Sequence, residues 1–211
     1  ENILLAATRC GGCMTVENAA MEPEITDLIG FLRSAGANIT GAGTARLTVH
    51  GGAPLHGTTY TVLPDRIETA TYLCAVAACG GKLELRRTAG ELLSPVITAL
   101  RASGCKIEQR HNTLQIISDG RLNAPGKIVT APYPGFPTDA QAPLMAALLR
   151  AKGESEFVET IFENRLRHTA QLRKMGAQIV TDGQRAVVSG VERLYGAALQ
   201  AQDLRAGAAL V

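Results

Sequence analysis

Apolar and polar positions along this chain switch repeatedly between a helical period and a strand period. Ile25, Leu28, Ile29 and Leu32 fall at i, i+3, i+4 and i+7, the stripe of a helix that buries one face. Leu93, Val96, Ile97 and Leu100 repeat that stripe in the same register. Between such stripes lie short runs with period two, which predict strands: "CMTVEN", "KLELRR" and "SEFVET", then "ANIT" with "ARLTVH", "CKIEQ" with "TLQIIS", and "AQIV" with "RAVVSG". "TYTVL" and "GKIVT" predict further strands that lead into the following unit.

The order of these elements repeats. "SAGANI", "ASGCKI" and "KMGAQI" carry glycines at 36, 104 and 176, which are 68 and 72 residues apart. Upstream turns at Gly11-Gly12, Gly80-Gly81 and Gly153 follow with nearly the same spacing. A fixed period of about 70 residues signals a repeated supersecondary unit. Each unit reads as a first helix, a Gly turn, a strand, a second helix that ends at a glycine suited to a left-handed cap, and two more strands. The predicted class is therefore α/β, with two helices and three to four short strands per unit and each small sheet burying its helices.

The third unit departs from the pattern. The register of its second helix places Arg165, His168 and Thr169 where the other units have apolar side chains, and only Leu172 keeps the rule. Two readings fit: a functional substitution inside the fold, or a helix rotated or displaced so that these residues meet solvent.

Each first helix also opens beside an aspartate, Asp65, Asp139 or Asp203. An acid in the first turn interacts favourably with the helix dipole, worth about 0.3–1 kcal/mol. At Asp139 a second consideration enters. Thr138 and Gln141 fit a capping box, which leaves Asp139 unneeded as a cap. The preceding loop, "PYPGFPTDAQAP", places two of the chain's eight Phe and Tyr residues and several prolines around this one carboxylate. A rigid apolar mount desolvates a carboxylate and fixes its direction, as a general base requires.

Composition narrows the functional classes. A formal charge of +2 and the lack of a basic or aromatic stripe argue against nucleic acid. No apolar run approaches the ~20 residues of a membrane span. Five cysteines, an odd number, fit a reducing, cytoplasmic setting rather than a disulfide framework. "CGGC" (Cys10 to Cys13) has the spacing of a zinc or redox half-site, but no second CxxC or nearby His completes it. The expectation is two buried thiols flanking a turn, with no metal and no cofactor. The chain begins at Glu1 without Met and stops inside the predicted helix "DLRAGAALV", so a piece of a longer protein is expected.

"VENAAMEPEITDLIGFLRSAGANITGAGT", "YTVLPDRIETATYL", "FPTDAQAP", "ETIFENRLRH" and "DLRAGAALV" together closely resemble the enolpyruvyl transferase family. "LPDRIET" and "IFENR" resemble its UDP-N-acetylglucosamine 1-carboxyvinyltransferase branch more than its shikimate branch. The resemblance implies a two-domain enzyme, each domain an inside-out α/β barrel of three units, with substrates in the cleft between the domains. Residues 1–62 would be the last repeat of the first domain and 63–211 most of the second. The implied reaction moves enolpyruvyl from phosphoenolpyruvate to the 3-hydroxyl of UDP-N-acetylglucosamine and releases phosphate.

Residue by residue, Asp139 resembles the aspartate beside the sugar hydroxyl, and Ile161 a backbone contact to the nucleotide sugar. Arg205 resembles an arginine near phosphoenolpyruvate. Glu163, Asn164 and Arg165 support the cleft in this reading, with an Asn164 helix cap flanked by solvated charges as the plain alternative. Met21 stands where the family usually has Arg, Pro143 where it often has Gln, and "LRHTAQ" replaces the usual "MHVPE". The family's loop cysteine, lysine and further arginines for phosphoenolpyruvate have no match in these residues, so none of the five cysteines takes that role. The piece alone is expected to be inactive.

Overall fold

The computed structural model describes residues 1–211. The backbone divides into two compact units, Glu1–Leu63 with Pro132–Pro134, and Pro64–Ala131 with Gly135–Val211.

In the smaller unit, helix α1 (Asn2–Arg9) is followed by β1 (Gly12–Glu17), α2 (Pro23–Ser34), β2 (Asn38–Thr40) and β3 (Arg46–Gly51). The strands form an antiparallel sheet in the order β1-β3-β2. Leu47 and Val49 of the central strand are buried and pack with Leu4, Ala7, Ile29, Leu32 and Ile39. The period-two pattern of β3 thus sets the sheet face that covers both helices. Residues of "TYTVL" form no strand. Instead the Tyr60 hydroxyl and the Leu63 N–H donate to Asp27 Oδ1, at 3.0 and 3.2 Å, so a side chain takes the place of a sheet edge.

The larger unit repeats this plan twice. Helix α3 (Arg66–Cys79), β4 (Gly81–Arg86), α4 (Ser94–Ala102), β5 (Lys106–Arg110) and β6 (Thr113–Ser118) give the antiparallel sheet β4-β6-β5. Then β7 (Lys127–Val129), α5 (Gln141–Ala147), β8 (Glu154–Val158), α6 (Thr169–Lys174), β9 (Gln178–Asp182) and β10 (Arg185–Ser189) give the sheet β7-β8-β10-β9, in which β7 and β8 run parallel. The terminal helix α7 (Leu204–Leu210) packs on α5, and α5 packs on α3. A single core joins both repeats, with Leu73, Leu93, Leu100, Leu114, Ile116, Leu144 and Phe157 excluded from solvent.

The three second helices end alike. Gly36, Gly104 and Gly176 have φ of 101°, 105° and 92°. In each, the N–H after the glycine reaches back to the carbonyl of Leu32, Leu100 or Leu172, and the glycine's own N–H to that of Arg33, Arg101 or Arg173. These paired bonds form a Schellman cap. The same three arginines then reach forward: Arg33, Arg101 and Arg173 each donate to the carbonyl of the isoleucine six residues on, Ile39, Ile107 and Ile179. The pattern R-x-x-G-x-x-I was visible in the sequence, but its arginine was not singled out there.

Several expectations are corrected. Cys10 and Cys13 are exposed; the buried thiols are Cys74 and Cys105. Burial, with a smaller contribution from Cys105, pushes the Cys74 thiol up to about 12, which leaves it inert. The capping box at Thr138 and Gln141 does not form. Residues Thr138–Ala140 make a 3-10 turn running into α5, and the Thr138 hydroxyl donates elsewhere, to Glu159 Oε2 at 2.8 Å. Asp65 and Asp203 do cap their helices, accepting from Ile67 and Glu68 N–H and from Ala206 N–H respectively. Pro143 lies in the first turn of α5, where its missing N–H has no helical acceptor to lose.

The second helix of the third unit is neither rotated away nor displaced. A 3-10 turn, Arg165–His168, leads into α6, and His168, Thr169 and Leu172 are all buried. The carbonyl of Arg165 accepts from His168 Nδ1 at 3.2 Å, so the neutral ring carries its proton there and Nε2 has no protein partner. Burial lowers the His168 pKa below 6.5, opposed by the Arg165 carbonyl and the nearby Asp203.

Two predictions follow from this packing. A Cβ at Gly190 would collide with the backbone of Ala151, whereas one at Gly196 meets open space. Denaturant titration should show Gly190→Ala losing about 1–3 kcal/mol and Gly196→Ala changing by less than about 0.5 kcal/mol. The second concerns His168. Above its unfolded pKa both states are neutral there; as pH falls through it, the unfolded chain takes up the proton first. Wild-type Tm should therefore fall relative to His168→Gln as pH drops below about 6.5, and the gap should level off once the folded ring also titrates.

Candidate active site

One of the third unit's polar exceptions, Arg165, joins three further charged side chains of the larger unit. Asp139, in the turn before α5, accepts from Arg165 Nη2 at 2.5 Å through Oδ1. Arg205, in the first turn of α7, brings Nε to 3.7 Å from Oδ2 of the same carboxylate. Arg165 Nη1 also lies 3.9 Å from Asp203 Oδ1, which caps α7. Two carboxylates and two guanidiniums thus alternate in space, from three elements separated by 26 to 66 residues in sequence. Arg165 is the more enclosed cation, with 17% side-chain exposure against 28% for Arg205, and Asp139 is 40% exposed.

The setting of Asp139 is therefore ionic and half-open rather than the apolar mount expected from its loop. Two cations fix its direction in place of a hydrophobic wall. Arg165 is also held by stacking, with its guanidinium carbon 5.7 Å from the Phe162 ring centre.

Beside this group lies a cleft of about 460 Å³ lined by Ile161, Phe162, Glu163, Asn164, Arg165 and Asp203. Ile161, Glu163 and Asn164, which the sequence pointed to, all face it, joined by Phe162 and Asp203. Asn164 stands at the cap position of the 3-10 turn but makes no side-chain capping bond, so its side chain does not serve the helix. The N–H of Ile161 is already given to Glu159 Oε1 at 2.8 Å, which leaves its carbonyl for a ligand.

Two residues in this region were not recognised in the sequence as parts of a site. Asp203 read only as a helix-opening acid, although its place two residues before Arg205 was a usable signal. Glu159 read only as the end of a strand. It is 1% exposed, and its carboxylate takes four donors. Oε1 accepts from the Thr130 hydroxyl at 2.9 Å and from Ile161 and Phe162 N–H at 2.8 and 3.2 Å, while Oε2 accepts from Thr138. Buried charge of this kind persists only when its lone pairs are filled.

Chemically, the arrangement offers a carboxylate that can take a proton and guanidiniums that can meet an anion in a planar fork. No group of three or more His, Cys, Asp or Glu is placed to hold a metal ion. No helix is long and apolar enough to cross a membrane.

Comparison with known proteins follows the same lines. A UDP-N-acetylglucosamine 1-carboxyvinyltransferase of Rhodopseudomonas palustris (strain TIE-1) is 48% identical over 208 residues, covering 99% of this chain and 48% of that protein. One from Novosphingobium aromaticivorans is 50% identical over 211 residues, covering 100% and 49%. The chain thus spans about half the length of the curated relatives it matches. The crystal structure of the enolpyruvyl transferase NikO from Streptomyces tendae superposes with a TM-score of 0.84 at 26% identity, over 98% of this chain and 50% of that one. The model of the EPSP synthase (3-phosphoshikimate 1-carboxyvinyltransferase) family matches residues 1–211. Because the family model matches along the whole length of its repeated α/β units, the chain belongs to the EPSP synthase family.

Proposed function

We propose that this chain is part of an enzyme that transfers enolpyruvyl from phosphoenolpyruvate to the 3-hydroxyl of UDP-N-acetylglucosamine and releases phosphate, the committed step of peptidoglycan synthesis. The observation that carries this reading is Asp139, half-open beside the cleft and gripped by Arg165 and Arg205. It stands in a chain 46–50% identical to proteins named for that transfer. In this reading residues 1–62 complete one domain and 63–211 form most of a second. Both belong to inside-out barrels of three units, and the whole protein works in the cytoplasm. The lysine, cysteine and further arginines that would hold phosphoenolpyruvate belong to the remainder of the longer protein.

Each residue has a part that its geometry allows. The Ile161 carbonyl and the cleft wall at Glu163 and Asn164 hold the nucleotide sugar. Asp139 accepts the proton of the sugar 3-hydroxyl as its oxygen bonds to C2 of phosphoenolpyruvate, while C3 gains a proton from an acid outside these residues. In the second half, the C2–O bond breaks with its electron pair leaving on phosphate, and C3 gives a proton to a base, which restores the double bond. The order of proton transfers needs a carboxylate that does not swing, and the two arginines provide that restraint. Arg205 is the better placed to meet the substrate anion, since its contact to Asp139 is the looser of the two.

The test uses the whole protein. Turnover with UDP-N-acetylglucosamine and none with shikimate 3-phosphate is expected; the reverse would assign the chain to the shikimate reaction, the one for which the matching family model is described. Asp139→Asn should keep the fold and nucleotide-sugar binding while lowering kcat by about 10²–10⁴-fold. Unchanged turnover would leave Asp139 a purely structural ion-pair partner. Arg205→Lys should raise KM for phosphoenolpyruvate with little change in UDP-N-acetylglucosamine affinity, because an ammonium cannot reproduce the bidentate fork. Equal loss for both substrates would instead point to collapse of the Asp139 cluster.

A further inference from the structure

The buried carboxylate of Glu159 is not among the residues that line the cleft and is ion-paired with neither Asp139 nor the arginines, yet it joins two of the segments that carry the site. Its Oε2 accepts from the hydroxyl of Thr138, the residue immediately before Asp139. Its Oε1 accepts from the N–H groups of Ile161 and Phe162, which open the segment leading to Arg165. The Thr130 hydroxyl completes the set on Oε1, and Thr130 in turn receives the Thr160 N–H at 2.8 Å. The residue's own N–H goes to the Gln184 carbonyl at 2.8 Å, which anchors it to the turn between β9 and β10.

We propose that Glu159 is a positioning residue for the transfer reaction, setting Asp139 against the 161–165 segment through Thr138 on one side and the Ile161 and Phe162 amides on the other. The proposal rests on the functional reading above. Its physical basis is the direction in which the Thr138 hydroxyl is held: its one O–H is given to Glu159. At a helix start, a threonine hydroxyl normally accepts from a backbone N–H two or three residues on. Here Thr138 lies inside the turn, with Pro137 at the cap position and no side-chain cap, and its O–H is aimed at a carboxylate 21 residues away. The bond is charge-assisted and removed from water at the Glu159 end, where such bonds are strong and directional. One rigid group thus references the proton acceptor and the sugar-binding backbone to a common point. If that point is lost, both segments keep their secondary structure but their mutual placement loosens. Displacement of a reacting group by about 1 Å can cost about 10²-fold in rate.

The decisive variants in the whole protein are Thr138→Val and Thr138→Ser. Valine keeps the volume and removes the hydroxyl; serine restores it. Thr138→Val should lower kcat by about 10- to 100-fold, with the Kd for UDP-N-acetylglucosamine within about twofold of wild type, and Thr138→Ser should recover most of kcat. A merely structural role would lower Tm without this split. Glu159→Gln, which keeps the shape but replaces one acceptor oxygen by an NH2, should also reduce kcat. Combining it with Thr138→Val should cost less than the sum of the two effects, since both act through one contact. A folded Thr138→Val protein with kcat within about twofold of wild type overturns the proposal, as does full additivity in the double variant. Should Glu159→Gln fail to fold, the valine and serine pair decides alone. Absence of any enolpyruvyl transfer by the wild-type protein would remove the functional reading and this role with it, and is thereby distinguished from loss of the role alone.

Discussion

Each repeat depends on a change of direction made in two residues, where a helix stops and a strand begins against its own sheet. A helix leaves its last carbonyls without partners, and one that ends beside a sheet cannot turn them to water. The chain meets this constraint the same way three times. A glycine with positive φ folds two N–H groups back onto the helix, and an arginine one turn earlier reaches past it to the carbonyl of the first buried isoleucine of the strand. The guanidinium thus ties helix to strand across the turn, and the isoleucine packs beneath. With that corner fixed, the alternation of the central strands, Leu47 and Val49, Leu114 and Ile116, Ala186 and Val188, is aimed at the helices.

A frame so well determined leaves room for exceptions, and the third unit holds them. Its second helix buries an imidazole and a hydroxyl where its counterparts bury aliphatic side chains, and projects Arg165 into the cluster around Asp139. The loss of apolar packing is offset by polar partners: the Arg165 carbonyl for His168 and the Leu166 carbonyl for Thr169. Gln141 and His168 Nε2 stay without protein partners, so this end of the core is less completely satisfied than the rest. Unpaired polar atoms and a half-open ion cluster thus come from neighbouring residues at the proposed reacting centre, as expected where function competes with stability.

The same contrast separates the two acids of the region. Asp139 is held by cations that a substrate anion could compete for, while Glu159 is held by neutral donors of its own fold. The first arrangement leaves a carboxylate available for chemistry; the second makes one into a fastening.

The repeat, the order of helices and strands, and the glycine corners were legible in the sequence because they are local. A 3.6-residue stripe, a period-two run and a left-handed glycine each leave their mark within a few residues. The register that exposed Arg165, His168 and Thr169 as exceptions was legible for the same reason, and so was Asp139 in its proline-rich loop, whereas Arg205 stood out only through the family resemblance. Local reading failed where a side chain had a distant alternative. Thr138 and Gln141 have the spacing of a capping box, but Thr138 falls inside a 3-10 turn that starts after Pro137, and its hydroxyl is aimed at Glu159. "TYTVL" has the pattern of a strand, but Asp27 took its donors. Cys10 and Cys13 have a composition suited to burial, but no part of the core covers them. Sequence alone thus determined the units and the places where their rule breaks. Only the tertiary structure decided which acid is half-open between cations and which is locked inside, because that depends on donors brought from elements 21 to 66 residues apart, for which no local period exists.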